Sequence, residues 1–247
     1  MNKQLKIDFH THTREDTDNH IDYTAFDLID HAARLQFDAI AITNHDAITY
    51  GPDLETYANQ KDIVLFPGME RSIDHKHVLL INFQNTDDLT DYENIKKAKT
   101  DDNLVIAPHP FFPGMQSLGK DTYHHADLFD AVEFCHFYCA QLNFNREAIR
   151  FSEKYRLPLV ANSDAHVLEQ FGRCYSLVNS KKNKYDIIQA IKNRQVKIVA
   201  PELTLNRMVK IYLKILANKT GLKQAFMRVC GIMNRLRHVS ETRQYLK

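Results

Sequence analysis

The chain has 247 residues, with 32 Lys or Arg against 31 Asp or Glu, 44% hydrophobic and 26% charged. That is the composition of a soluble globular protein and excludes collagen-like, low-complexity and disordered classes. Only seven glycines occur, in no GxGxxG or GxxxxGK[ST] pattern, so a glycine-rich nucleotide cradle is not expected.

Short β-branched runs at 5–9, 39–42, 63–66, 78–83, 104–107, 131–134, 157–161 and 175–178 read as strands. Helical patterns lie between them at 25–35, 54–60, 92–100, 146–155 and 185–193. This alternation predicts an α/β fold with a mostly parallel sheet or a barrel. The start MNKQLKIDFH runs directly into the first strand without a signal-peptide pattern. No apolar run approaches the ~20 residues that span a bilayer. The four cysteines form no CxxC pair and read as reduced, buried thiols. A cytoplasmic location with no membrane partner is the expectation.

The residues just past the strand ends carry more information than the strands. In order they are His10 and His12, His45, Glu70, His109, Glu133 and His136, then Asp164 and His166. In α/β barrels the functional groups lie on the loops at one rim, so ligands recurring in this rhythm converge on a single pocket. His10 and His12 stand at i and i+2 of an extended segment, project to the same side, and can grip one cation. Glu70 or Asp164 can bridge two metals, which an imidazole cannot. His31, His124, His125 and His238 receive no ligand role.

The composition shifts near residue 205. From 205 to 247 there are ten Lys or Arg against the single acid Glu241, a net of +9, which leaves −8 for residues 1–204. The two segments read as a main domain, 1–204, and a basic extension, 205–247. Leu205, Met208, Val209, Tyr212, Ile215 and Leu216, then Leu222, Phe226, Val229, Met233 and Leu236 after Gly221, have the spacing of two amphipathic helices joined at a glycine. Their basic faces are either solvated and drawn to the acidic domain, or dock a polyanion such as RNA or single-stranded DNA, or lie on anionic lipid. An apolar face of this kind can also meet a second subunit.

The segments IDFHTHT, AITNHD, FPGMERS, KHVLLIN, VIAPHP and VANSDAH, in that order, resemble the motifs of the polymerase and histidinol phosphatase (PHP) domain family. The resemblance covers residues 5–200. It implies a distorted seven-stranded (β/α) barrel, here followed by a basic helical hairpin, with two or three divalent ions (Zn, Mn or Fe). The activity it implies is phosphoester hydrolysis through a metal-activated hydroxide. Carried over by position, His10, His12 and Asp164 would hold the first ion, with Glu70 bridging to a second held by His77 and His109. His45 and His166 would hold a third with a residue from the loop after the first strand. That loop offers Glu15, Asp16, Asp18 and His20; Asp16 is preferred, then Asp18. His77 is preferred to His75 because the apolar run 78–81 follows it directly. Asn44 stands where Asp is commoner, which removes a supporting carboxylate.

Arg71, Arg146 and Arg173 are candidate anchors for an anionic substrate, and His136 a candidate proton donor or phosphate contact. The expected substrates are small phosphorylated metabolites or nucleotides. A 5′-end-directed exonuclease on RNA or single-stranded DNA is the alternative within this chemistry. An amidohydrolase, which also uses an HxH on the first strand, and a non-catalytic scaffold are the readings outside it.

Overall fold

The computed structural model describes residues 4–220. Nine strands form one sheet: β1 (Gln4–Asp8), β2 (Ala39–Ile42), β3 (Val64–Ile73), β4 (Lys76–Ile81), β5 (Leu104–Ala107), β6 (Ala131–Phe134), β7 (Leu159–Ala161), β8 (Tyr175–Asn179) and β9 (Val196–Val199). Their order in space is β7-β6-β5-β4-β3-β2-β1-β8-β9. The expected seven-stranded, mostly parallel barrel is therefore corrected to nine strands in a nearly closed barrel. Four of its ladders are parallel, β1–β2, β2–β3, β5–β6 and β6–β7. Four are antiparallel, β3–β4, β4–β5, β1–β8 and β8–β9.

The near-closure has two parts. Beyond the strands proper, Thr11 pairs with Ala165 in parallel, and the His12 N–H donates to Ala165 O at 3.3 Å. The continuations of β1 and β7 thus meet at the rim. Below them β8 and β9 fill the gap: the Ser176 hydroxyl accepts from Ala161 N–H at 2.8 Å and donates to Ala161 O at 3.0 Å.

Local chemistry explains the helix starts. α1 (Ala25–Arg34) begins with a capping box in which Thr24 Oγ1 accepts from Asp27 N–H and Asp27 Oδ2 accepts from Thr24 N–H. α2 (Pro52–Gln60) has Pro in its first turn. α3 (Tyr92–Ala98) is capped by Asp91. A single turn, α4 (Asp121–His124), and α5 (Asn145–Tyr155) follow. α6 (Lys184–Lys192) is capped by Asn183, and α7 is Leu205–Thr220. The second predicted helix of the basic extension lies outside the described residues, so a hairpin there is not part of the fold as described.

Alternate residues of each strand face opposite layers. Leu5, Ile7, Ala39, Ala41, Phe66, Leu79, Ile106 and Ala131 pack in one cluster with α6 Ile187 and Ile188. Ile40, Ile42 and Leu65 turn the other way, onto α1 Leu28 and Ile29. Val105, Val132 and Leu80 meet α3 Ile95 and α5 Phe151. α7 docks through Met208 and Ile211 against Cys139 and Leu203, so the described part of the basic extension packs on the barrel. Among the described residues no helix is long and apolar enough to cross a membrane.

Candidate metal centre

The antiparallel β4 explains the placement of one ligand. Parallel strands deliver ligands where they end: His10 and His12 after β1, His45 after β2, His109 after β5, Asp164 and His166 after β7. β4 runs the other way, so its beginning reaches the same rim and supplies His77. His77 is buried, and its Nδ1 lies 2.7 Å from Glu70 Oε1. His75 is exposed in the turn between β3 and β4, where Asp74 and His75 both take positive φ. Glu70 itself is held inside β3 by backbone pairing of its N–H to Asn44 O and of Asp46 N–H to Glu70 O.

Glu70 is the hub. Its Oε2 lies 3.3 Å from His10 Nε2, 3.3 Å from His12 Nε2 and 3.2 Å from His45 Nε2. Its Oε1 lies 3.4 Å from His109 Nε2. Asp164 Oδ1 is 3.4 Å from both His10 Nε2 and His12 Nε2, and 3.3 Å from His166 Nδ1. His109 and Asp164 hold positive φ, 27° and 44°. Such backbone is unfavourable for residues other than glycine and clusters at functional sites.

Burial alone would raise the Glu70 and Asp164 carboxyls, but the surrounding histidines, His10 foremost, hold both well below the usual carboxylate range. The converse holds for His12: burial would lower it, yet bonds to Asp16, Asp164 and Glu70 carry it up to about 10. This buried cluster of carboxylates calls for positive charge.

The donor set fits divalent ions. His10 Nε2, His12 Nε2, His77 Nε2 and Asp164 Oδ1 are buried without hydrogen-bond partners, whereas buried polar atoms are normally satisfied. Imidazole nitrogen and carboxylate oxygen are the ligand atoms of zinc and its neighbours. Four triads bring ligand atoms within 4.8 Å of one another: His10–His12–Glu70, His45–Glu70–His77, His12–His45–His166 and His10–His109–Glu133.

Asp16 takes a different place from the one expected of it. It is in none of these triads; its Oδ2 accepts from the outer Nδ1 of both His12 and His45, each at 2.8 Å, and from His45 N–H at 3.0 Å. Its Oδ1 accepts from the Asp18 and Asn19 amides. The carboxylate thus fixes two imidazoles with their Nε2 atoms turned inward. Asp18 is exposed and also outside the triads. Asn44, in place of the commoner Asp, is fully used: its Oδ1 accepts from Thr13 N–H and its Nδ2 donates to Thr13 Oγ1 and Thr49 Oγ1.

Glu133, noted at the rim but given no site role, does for His10 what Asp16 does for His12. Its Oε1 is 3.1 Å from His10 Nδ1 and accepts from Asn162 Nδ2, while Oε2 accepts from His109 N–H. A lone acid in the apolar strand AVEF was the available signal. Asp8 is fully buried and accepts from the His10 and Ser163 amides; burial pushes its carboxyl up to about 7.

Above the ligands opens a cavity of about 210 Å³, lined by His45, Glu70, His77, His109, Asp164, His166 and, among others, His136. None of the three candidate arginines lines it. Arg71 donates to Thr86 O at 2.6 Å and pairs with Asp46 at 3.3 Å. Arg146 is exposed on α5. Arg173 is half-buried, and burial together with the nearby Arg207 lowers its pKa.

Residues 143–196 match the family model described as PHP-associated. The fold resembles a two-domain protein from Bacteroides vulgatus containing a predicted PHP-like metal-dependent phosphoesterase, at TM-score 0.63 and 20% identity over 87% of this chain and 70% of that one. The chain has the fold of the PHP family. PsfC from Pseudomonas syringae aligns with this PHP fold at TM-score 0.59 and 16% identity, over 89% and 99% of the two chains. The lesion-specific endonuclease PfuEndoQ from Pyrococcus furiosus does so at TM-score 0.55 and 16% identity, over 85% and 66%. No curated protein matches the chain.

Proposed function

We propose that this PHP-fold chain is a metal-dependent phosphoesterase that hydrolyses small phosphate monoesters. The observation that carries the reading is the set of buried, unpartnered His10 and His12 Nε2 atoms converging with Asp164 Oδ1 on Glu70, with His77 Nε2 a further buried nitrogen left without a partner. His10, His12 and Asp164 would hold one ion, Glu70 with His77 and His109 a second, and His45 with His166 a third, so that each imidazole serves a single ion. Such ions, when bound, lower the pKa of water and neutralise charge on a phosphoryl group.

The chain's own residues do the rest. Asp16 and Glu133 hold the Nδ1 atoms of His12, His45 and His10, so their Nε2 atoms are turned toward Glu70. His109, half-buried at the cavity wall, is kept in register by its amide bond to Glu133. His136 lines the cavity as an uncharged ring, able to bond a substrate oxygen but not to act as an imidazolium acid at neutral pH. A bridging lysine would favour amidohydrolase chemistry, and among the described residues no lysine lines the cavity.

The test is elemental analysis of purified protein followed by a manganese-supplemented panel of phosphomonoesters, nucleotides, oligonucleotides and amides, comparing wild type with His10→Ala and Glu70→Ala. At least one equivalent of metal and monoester hydrolysis lost in both folded variants is expected. Protein that holds metal yet cleaves no phosphate ester would refute the reading.

A further inference from the structure

The cavity changes character above its ligands. The floor is imidazole and carboxylate, but the walls are Phe112 and Gly114 from the segment after β5, Phe137 after β6, and Tyr212 with Ile215 from α7. No Lys or Arg lines it among the described residues.

These walls are held in place. Phe112 meets Phe137 and Phe144 edge-on, with ring centroids 6.1 and 5.8 Å apart. Its segment is tied down where His77 N–H donates to Gln116 O at 2.9 Å and Gly119 N–H to Pro110 O at 2.7 Å. α7 is anchored by Met208 and Ile211 on Cys139 and Leu203, and by Lys214 Nζ bonding Glu169 Oε1 at 2.6 Å. That anchoring leaves Tyr212 at the cavity edge, 57% exposed. An exposed tyrosine that lines the same cavity as two phenylalanines offers a ring both edge and face contacts.

We propose that the pocket takes phosphate monoesters whose alcohol part carries a single aromatic ring, aryl or nucleoside, seated against Phe112, Phe137 and Tyr212; this rests on the phosphoesterase reading above. Ions held by the histidines and carboxylates of the floor would supply the charge for one phosphate, so no guanidinium is needed there. A polymer strand would run further phosphates along walls that carry no cation among the described residues, and the cavity of about 210 Å³ is small beside the ~300–1,000 Å³ of common ligand pockets. The basic extension then contributes to the site through the apolar side of its first helix.

The experiment is calorimetric titration of manganese-loaded full-length protein with phenylphosphonate and with methylphosphonate, neither of which can be hydrolysed. Wild type is expected to bind the phenyl compound about tenfold more tightly, the size of one ring-stacking contact. The ratio should fall toward one in Tyr212→Ala and persist in Tyr212→Phe. Equal affinities in wild type, no binding of either compound, or a ratio unmoved in both Tyr212→Ala and Phe112→Ala overturns the proposal. A clear phenyl preference in protein that hydrolyses no ester would sink the phosphoesterase reading and leave the aromatic pocket standing. Equal binding with ester hydrolysis intact would do the reverse.

Discussion

Gln170 donates from its amide Nε2 to His136 Nε2 across 3.1 Å. The direction of that bond follows from the other end of the side chain, where Gln170 Oε1 accepts from the His166 and Val167 amides at 3.1 and 3.0 Å. With the oxygen so occupied, the nitrogen must face His136, whose Nε2 is then the acceptor and whose Nδ1 carries the proton. One glutamine therefore links the backbone of a candidate ligand, His166, to the tautomer of a ring on the cavity wall.

Burial pushes His136 down to about 4, with Asp164 and Glu133 offsetting only part of the effect. An unfolded histidine protonates near ~6.5, so between there and about 4 the unfolded chain binds more protons at this position. The contribution of His136 to stability is present above the unfolded value and is lost as the pH falls through that window. Long-range ¹⁵N–¹H NMR, with His136 assigned through His136→Gln, should show a neutral, Nδ1-protonated ring from pH 8 to 5. In Gln170→Glu, which replaces the donor by an acceptor, the titration should move upward. A wild-type ring that titrates above pH 6 contradicts both the bond direction and the neutral role given to His136.

Asp16 should matter through the two imidazoles it holds. Removing a supporting carboxylate of this kind lowers metal affinity by about 10–100-fold, and here a single oxygen serves both His12 and His45. Competition with a chromophoric chelator is expected to show Asp16→Ala weaker than wild type by at least the lower figure, with Asp16→Asn between them. Asp18→Ala should match wild type. An Asp18 variant as defective as Asp16→Ala would place the exposed carboxylate among the ligands instead.

Much of this arrangement was legible because β-branched runs and histidines are both strong local signals. Ligands of types that rarely cluster recurred at strand ends, and all the predicted strands are present. What escaped depends on partners distant in sequence. β9, Val196–Val199, is half-exposed and pairs only with β8, so its hydrophobic signal is short and weak. Antiparallel pairing of β4 and β8 cannot be read from strand patterns, since it depends on which way a connection turns. Glu133 and Gln170 act on residues 123 and 34 positions away. Asp16 looked like a ligand because its type and loop were right, and only the geometry of two Nδ1 atoms places it behind them. The basic count of residues 205–247 drew attention to charge, whereas the part of α7 that reaches the cavity is Tyr212 and Ile215.

Gly68 should tolerate no side chain. A Cβ there would stand 2.8 Å from Thr43 Cγ2, 3.0 Å from Ile42 O and 3.2 Å from Ala41 Cβ. These contacts press β3 against the end of β2, between the residues that lead to Glu70 and His45. Overpacking of this kind costs about 1–3 kcal/mol. Gly68→Ala is expected to lower the urea midpoint by that equivalent and to reduce metal content as well, because part of the strain is relieved by parting the two ligand-bearing strands. A variant with wild-type stability and full metal content would show the close approach to be soft.

Glu70 gives the sharpest test of the centre. Its two oxygens face five imidazoles, and although full burial would raise its carboxyl, these histidines, His10 foremost, hold it well below the usual carboxylate range. Glu70→Gln keeps the shape and removes the charge. An ion present at a hundred times its Kd stabilises the folded state by about 2.7 kcal/mol, which for a domain of this size is about 5–10 °C in Tm. Chelation of the wild-type protein should lower Tm by that amount and re-addition of manganese should restore it. In Glu70→Gln the chelator should move Tm far less, and elemental analysis should find at least one equivalent fewer. Folding that is intact but indifferent to chelator in both proteins would mean that the convergent nitrogens serve no ion, and the hydrogen-bonded histidine–carboxylate network would then have to account for its own buried, unpartnered atoms.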